Sequence, residues 1–494
     1  MAADGSGHSE NQRRHLSRAL TELAPDARAA HRAAFGFDFA FPDLSARRMF
    51  PPGQRHGAAP LYAVAGIGAL MVPDLAILAA GWSGLIVFAA ILVFRAALYR
   101  MGTGMPAAPA SDVAGSWPVY TLLIALKDEA ETAAQLAEAI RALDYPADRL
   151  DVKLLIEQGD GQTRAALLAQ DWPAGTQLLT VPPGLPRTKP RALNYGLGRA
   201  VGEFVVVYDA EDRPHPDQLK SAVSAFRAAG RELACVQAPL VGEGAPSWIG
   251  GQWALEYAVQ FGRLLPAQAR LGLPVMLGGT SNHFRRSALE AAGGWDAWNV
   301  TEDAELGLRL ARSGHCVGMI RPPTLETPPD SLMVWINQRS RWLKGFIQTW
   351  LVLMRRPGKV ARELGLRRFL ALQLTLGAAI LSALVHGPWA LWLVWSWLDP
   401  ELAIAPAFLV IATLSYMAGI LMALLAPGRV DGRRVRLALS LPVYWPLQSL
   451  AMLRAIYGLA RCPHFWAKTP HGAASQAGRY ESETFGARSG SDVR

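Results

Sequence analysis

Charge is scarce in this 494-residue chain: Asp, Glu, Lys and Arg make up 18% of it, against 51% hydrophobic residues. That balance is lean for a soluble protein. Cysteine is scarcer still, with Cys235, Cys316 and Cys462 far apart. Such spacing excludes a disulfide framework or a paired thiolate site and reads as three plain thiols in a reducing compartment. The ten histidines show no ligand spacing, so His215 and His283 read as structural. A cleavable leader is also missing from the reading, because the first fifty-odd residues are polar and charged. No period repeats along the chain.

The formal net charge of +9 does not point to nucleic acid. The cations sit beside apolar blocks: Arg47 and Arg48 before the first, Arg95 and Arg100 at its end. Arg355, Arg356 and Lys359 precede the second, and Arg429, Arg433, Arg434 and Arg436 interrupt it. Basic flanks of this kind are expected on the cytoplasmic side of membrane spans. The lipid bilayer is therefore the expected partner.

Residues 1–57 read as a cytosolic extension with a helix over Leu16–Phe35. The nearly uncharged run Ala58–Phe94 would be roughly 55 Å long as one helix, beyond a bilayer core of about 30 Å. It predicts a two-span hairpin over 58–100, turning between Pro73-Asp74 and Gly81-Trp82-Ser83-Gly84. Residues 101–117 read as a linker, 118–345 as a catalytic domain, 346–365 as an interfacial helix, 366–460 as a transmembrane or re-entrant region, and 461–494 as a tail. Spans are expected at about 370–397 and 403–426, with a re-entrant or interfacial segment over Leu437–Leu459. The tryptophans near these blocks (Trp389, Trp392, Trp395, Trp397, Trp445) read as interfacial anchors.

Between the apolar blocks the pattern changes. Strands are predicted at Val119–Leu126, Val152–Ile156, Gln177–Val181, Phe204–Tyr208 and Ala234–Gln237, with helices at Thr132–Leu143, Arg191–Ala200 and Pro216–Ala229. That rhythm implies an α/β domain with a largely parallel sheet, and ligands in such folds sit at the carboxyl ends of the strands. Asp209-Ala210-Glu211-Asp212 follows the strand Phe204–Tyr208. A carboxylate pair there suits Mg²⁺ or Mn²⁺ completed by phosphate oxygens and water. The alternative is an acidic turn before the helix near Pro216. Thr301-Glu302-Asp303 opens an amphipathic helix; Asp303 could act as a general base, or the triplet could be ordinary N-terminal helix chemistry. Asp330 is expected to cap a helix on which Gln338, Arg341 and Trp342 share one face. Such a face can grip a diphosphate and stack a sugar ring, or can serve as an interfacial belt.

Asp-Ala-Glu-Asp, Thr-Glu-Asp and Gln-x-x-Arg-Trp, in this order between membrane segments, resemble the processive family 2 glycosyltransferases, the cellulose, curdlan, chitin and hyaluronan synthase group. The resemblance runs from about Val119 to Gly345. It implies a glycosyltransferase A-type (Rossmann-like) cytosolic domain inserted between transmembrane helices, in a multi-pass protein of the cell inner membrane. It implies that Glu129, Asp160, Lys189, Asn194 and Arg341 bind a nucleotide diphosphate sugar donor. Asp209 and Glu211, with Asp212 adjacent, would hold the metal, and Asp303, beside Glu302, would be the catalytic base. Gly279, Thr280, Gln338 and Trp342 would meet the glycan acceptor. Two departures stand out: Gly159-Asp160 replaces a paired aspartate, leaving Glu157 as a substitute contact, and Glu211 replaces the second metal-site Asp. Trp295 and Trp298 are additional acceptor-site candidates.

The resemblance implies an inverting hexosyl transfer, with UDP-glucose and a β-glucan as the first expectation and polysaccharide export proteins as candidate partners. The short C-terminal tail carries no recognisable cyclic-dinucleotide-binding domain. Two rivals remain: single-sugar transfer to a membrane lipid, since Gln-x-x-Arg-Trp also occurs in lipid glucosyltransferases, and a catalytically silent scaffold subunit. A transporter is disfavoured, because the soluble block carries the motifs and the spans hold few polar pairs.

Overall fold

Runs of β-branched and large apolar residues, such as Phe204-Val-Val-Val-Tyr208, form strands buried on both faces, as a helix-covered parallel sheet requires. The computed structural model describes residues 21–49, 73–102, 116–399 and 406–465. Its strands are β1 (Thr21–Leu23), β2 (Tyr120–Leu126), β3 (Leu150–Glu157), β4 (Gln177–Val181), β5 (Phe204–Tyr208), β6 (Arg213–Pro214), β7 (Leu233–Gln237), β8 (Leu240–Gly242), β9 (Asn282–Arg285), β10 (Cys316–Met319) and β11 (Thr324–Glu326). Eight of them form one sheet in the order β1-β4-β3-β2-β5-β9-β7-β10, and β6-β11-β8 form a second, small sheet. The β1-β4-β3-β2-β5 run is parallel, while β9 lies antiparallel to both β5 and β7. The order reverses direction beside β2 and β5, and such a switch opens a crevice at the strand ends.

Alternate strand residues feed two apolar layers. Leu122, Ile124, Val152 and Leu154 face the helices Ala133–Arg141 and Gln218–Ala228. Leu123, Leu155, Val205 and Val207 face Lys189–Leu197 and Glu302–Arg312.

The N-terminal segment departs from the expected helix over Leu16–Phe35: Thr21–Leu23 adds an edge strand to β4, and the helix runs from Ala27 to Ala40. Asp26 sets its start by accepting from the amides of Arg28 and Ala29. Of the range expected to hold the hairpin's turn, Pro73-Asp74 opens the helix Pro73–Met101 and Gly81–Gly84 lies within it. The other arm of the predicted hairpin, 58–72, lies outside the described residues.

Among the described residues three helices, Gly81–Met101, Leu366–Leu398 and Pro406–Leu424, are long and apolar enough to cross a membrane. The range 346–365 expected as one interfacial helix is divided: its start continues Leu332–Leu353, which is capped by Ser331 rather than Asp330, and Pro357–Leu364 is a helix of its own. The segment at 437–459 divides among Gly432–Leu439, Leu441–Tyr444 and Leu447–Arg461, broken at Pro442 and Pro446 where the chain cannot continue a helical ladder. Sequence reasoning missed the antiparallel β9, whose four residues are too short for a periodic signal, and the apolar helix Trp248–Val259 that packs between β8 of the small sheet and the apolar helices.

Candidate active site

The carboxyl end of β5 delivers Asp209, whose carboxylate forms an ion pair with Lys189 from the start of Lys189–Leu197. The same ammonium donates to the Gly279 carbonyl at 2.7 Å. Burial works against charge on Lys189, but Asp209 and Glu302 outweigh it and hold its pKa well above the ordinary value. Asp212 is turned inward, accepting from the Asp209 amide at 2.8 Å and from the Thr280 hydroxyl. Burial, then the Asp209 charge, pushes its pKa well up. Asp212 closes the turn that presents Asp209 and Glu211.

Asp303 reaches the same place from the first turn of Glu302–Arg312. A Cβ on Gly279 would lie 3.2 Å from an Asp303 carboxylate oxygen and 3.9 Å from one of Asp209, so the bare backbone of Gly279 separates the two acids. Thr301 occupies the N-cap position but makes no capping bond through its side chain. Its methyl and hydroxyl instead press on Gly345, where a Cβ would sit 2.2 Å from the Thr301 hydroxyl oxygen. Only glycine permits that approach, and it brings the helix carrying Arg341 against the one carrying Asp303.

Arg341 lines the resulting cavity, and its buried Nε has no hydrogen-bond partner among the described residues. Gln338 accepts from the Trp253 indole at 2.9 Å. Trp342 stacks on Tyr257 with ring centroids 6.3 Å apart, and the Arg339 guanidinium lies 4.8 Å over its ring. Glu326, at the end of β11, also faces the cavity and was not singled out in the sequence. Its signal was weak because one acid before a proline pair resembles any turn.

Carboxylates outnumber cations here. Burial and then Asp303 raise Glu302 to about 8, while burial followed by Asp209 and Glu211 raises Glu326 to about 8. Asp303 is raised as well, first by burial. Such a cluster disfavours full ionisation unless a cation joins it. Among the described residues no three His, Cys, Asp or Glu side chains converge as a self-sufficient metal cage. The donor set therefore fits a cation that takes one or two carboxylates and draws its remaining ligands from phosphate and water.

Eleven of the fourteen residues singled out for the site line one cavity of about 550 Å³: Glu129, Lys189, Asp209, Glu211, Asp212, Gly279, Glu302, Asp303, Gln338, Arg341 and Trp342. The other three do not. Asp160 caps the helix Gly161–Leu168 and accepts from the Asp128 amide at 2.7 Å, fixing the loop that carries Glu129. Thr280 is buried beneath the site, bonded to Asp212, rather than facing an acceptor. The Asn194 amide is spent on structure, donating to the Ala33 and Trp295 carbonyls and accepting from the Trp295 amide. Trp295 is buried, and Trp298 donates to the Ala34 carbonyl; both hold the N-terminal helix rather than line the cavity. Glu157 pairs with Arg191 at 3.5 Å, and His283 bridges Tyr120 and Gln218 in the core. Trp445 was expected at the bilayer surface but lines the cavity, stacked on Tyr416.

Residues 204–428 match the family model described as Glycosyl transferase family group 2. The beta-monoglucosyldiacylglycerol synthase of Synechocystis sp. is 28% identical over 285 residues, 55% of this chain and 58% of that protein. The UDP-forming cellulose synthase catalytic subunit of Komagataeibacter sucrofermentans is 26% identical over 260 residues, 49% of this chain and 32% of that protein. The match thus spans a little over half of the first relative and a third of the second. Among solved structures, the mannosyltransferase PcManGT from Pyrobaculum calidifontis, in complex with GDP-Man and Mn²⁺, covers 76% of this chain and 96% of its own, at 21% identity and a TM-score of 0.50. That likeness concerns the fold.

Proposed function

We propose that this family 2 glycosyltransferase, as the matched region and the relatives support, extends a polysaccharide at a membrane from a nucleotide diphosphate sugar, UDP-glucose first among donors. The observation that carries this reading is the continuity of one cavity. It begins at Asp209 and Asp303 and runs on to Phe88, His386 and Ser415, which lie on the three apolar helices. Its upper wall sets the indole of Trp445, Ser382, Ser415 and Gln448 among apolar side chains such as Phe88, Leu92 and Met422. The indole face and the scattered hydrogen-bonding groups offer contacts that a hydroxyl-rich chain uses and an acyl tail does not.

In this reading the donor diphosphate lies between Lys189 and Arg341, with the unpartnered Arg341 Nε available for a phosphate oxygen. Asp209 and Glu211 would hold Mg²⁺ or Mn²⁺, which supplies charge neutralisation for the leaving diphosphate. Asp303 takes the proton of the acceptor hydroxyl as that oxygen attacks the anomeric carbon from the opposite side, inverting it. Its raised pKa makes it a stronger base than an exposed carboxylate. Trp342, braced by Tyr257 and Arg339, carries the acceptor ring. The catalytic domain would face the cytosol in a multi-pass inner-membrane protein, with export proteins receiving the product.

A single-sugar transfer to a membrane lipid is the second reading, favoured by the glucolipid synthase among the relatives. Incubation of the bilayer-embedded protein with labelled nucleotide sugars separates the two. A ladder or polymer of labelled sugar supports the first reading, and a single-sugar glycolipid as sole product rejects it.

A further inference from the structure

Arg95 is an arginine inside an apolar span, six residues before the end of Gly81–Met101. At 1.5 Å per residue it stands about 9 Å above the helix end. Its side chain lines the cavity, on the wall that Phe88, Leu92 and Leu98 otherwise make apolar. Intramembrane cations are costly and call for a partner. The carboxylate acting on Arg95 electrostatically is Glu256, from the helix Trp248–Val259. Glu256 is already engaged: it forms an ion pair with Arg339, accepts from the Tyr444 hydroxyl at 2.8 Å and from Gln448 at 3.5 Å. Among the described residues Arg95 itself makes no hydrogen bond or ion pair. Glu256 is thus taken by Arg339, and the Arg95 guanidinium faces the cavity with no ion-pair partner among the described residues.

We propose that this charge is the counter-ion for an acidic group on the glycan, so that the enzyme's acceptor is an anionic rather than a neutral polysaccharide. The inference rests on the polysaccharide reading above and adds the substrate class. Arg339 links the two parts of the argument, since it packs over Trp342 at the acceptor position and pairs with the same Glu256 that Arg95 faces. A chain leaving Trp342 toward Trp445 passes the Glu256–Arg95 level, where a carboxylate on a sugar ring restores neutrality and gains a charge-assisted, bidentate contact. A neutral sugar there leaves the charge uncompensated. A lipid phosphate could also approach an arginine at this depth; the indole of Trp445 and the side chains of Ser382 and Gln448, set among the apolar groups of the same cavity, favour the sugar.

The test uses the full-length protein in phosphatidylcholine nanodiscs with labelled UDP-glucose. Two soluble acceptors are compared, a β-linked glucan oligosaccharide ending in glucuronate and its methyl ester. The acid should show a KM about tenfold lower than the ester, the size expected for one hydrogen-bonded charge. Arg95→Gln should raise the KM of the acid to that of the ester, and Arg95→Lys should retain part of the preference. The ester comparison on the unmodified protein stands even if a variant fails to fold. Equal KM values for the two acceptors, or a preference unchanged in Arg95→Gln, overturns the proposal while leaving polymer synthesis intact. A preference that follows added phosphatidylglycerol instead of acceptor charge overturns it in favour of a lipid phosphate. Formation of a single-sugar glycolipid with no extension of either oligosaccharide rejects the polysaccharide reading and this proposal together.

Discussion

The strand-borne wall of the cavity and the helix-borne wall are held by different forces. Asp209, Lys189, Gly279 and Asp212 are tied into one network by direct hydrogen bonds and an ion pair, so each fixes its neighbours. Arg341 and Trp342 are instead positioned by packing: the contact of Gly345 on Thr301, the stacking on Tyr257 and the lid of Arg339. A networked wall would suit the compact, highly charged diphosphate of the proposed donor. A packed wall would let a sugar ring advance after each addition without breaking a fixed set of bonds.

Breaking the strand wall should have the larger effect. Asp209→Asn removes the Lys189 partner and one carboxylate of the acidic pair, and should lower kcat roughly a thousandfold, the equivalent of several kcal/mol of transition-state stabilisation. Chelation of divalent cations should reproduce that loss in the unmodified protein, and added Mn²⁺ or Mg²⁺ should restore it; steady-state assays check both. On the packed wall, Gly345→Ala forces a Cβ against Thr301 and separates Arg341 from Asp303. A shift of about 1 Å at a reacting group can cost on the order of a hundredfold, so kcat should fall by that amount. Trp342→Ala should act mainly on the acceptor, raising its KM about tenfold with little change in the donor KM, since one aromatic stacking contact contributes roughly 0.5–1.5 kcal/mol. The smallest kinetic effect belongs outside both walls. Asn194→Ala leaves the Trp295 amide and the Ala33 carbonyl without their partner, and should destabilise the N-terminal attachment by about 1–3 kcal/mol while the donor KM stays unchanged. A large rise in donor KM would return Asn194 to the donor site.

The same contrast explains what could be read from the chain alone. The strand wall was legible because an apolar β-strand followed by acids is a local pattern: Gln177–Val181 and Phe204–Tyr208 match their predicted bounds, and Asp209 and Glu211 fall at the cavity. The helix wall depends on contacts between distant segments. Nothing near Glu256 or Arg339 indicates their pairing, and Glu326 gains its place only because β11 pairs with β8 and β6. Asn194, Thr280 and Trp298 show the converse: a motif can carry a polar residue to the right neighbourhood while a backbone carbonyl or a second side chain claims it first. The two glycines at Gly81 and Gly84 marked one end of the range given for a turn, yet both lie inside the helix Pro73–Met101, as an apolar segment that must satisfy its own backbone hydrogen bonds favours.

The central claim is that Asp303, delivered by a helix, acts on a donor held by Asp209 and Lys189. Its most direct test is paired measurement of UDP binding in the presence of Mn²⁺ and of sugar transfer by Asp303→Asn in bilayers. Binding like that of the unmodified protein, with transfer reduced by a factor on the order of 10²–10⁴, is the predicted result. Transfer that persists in Asp303→Asn at an undiminished rate would contradict it.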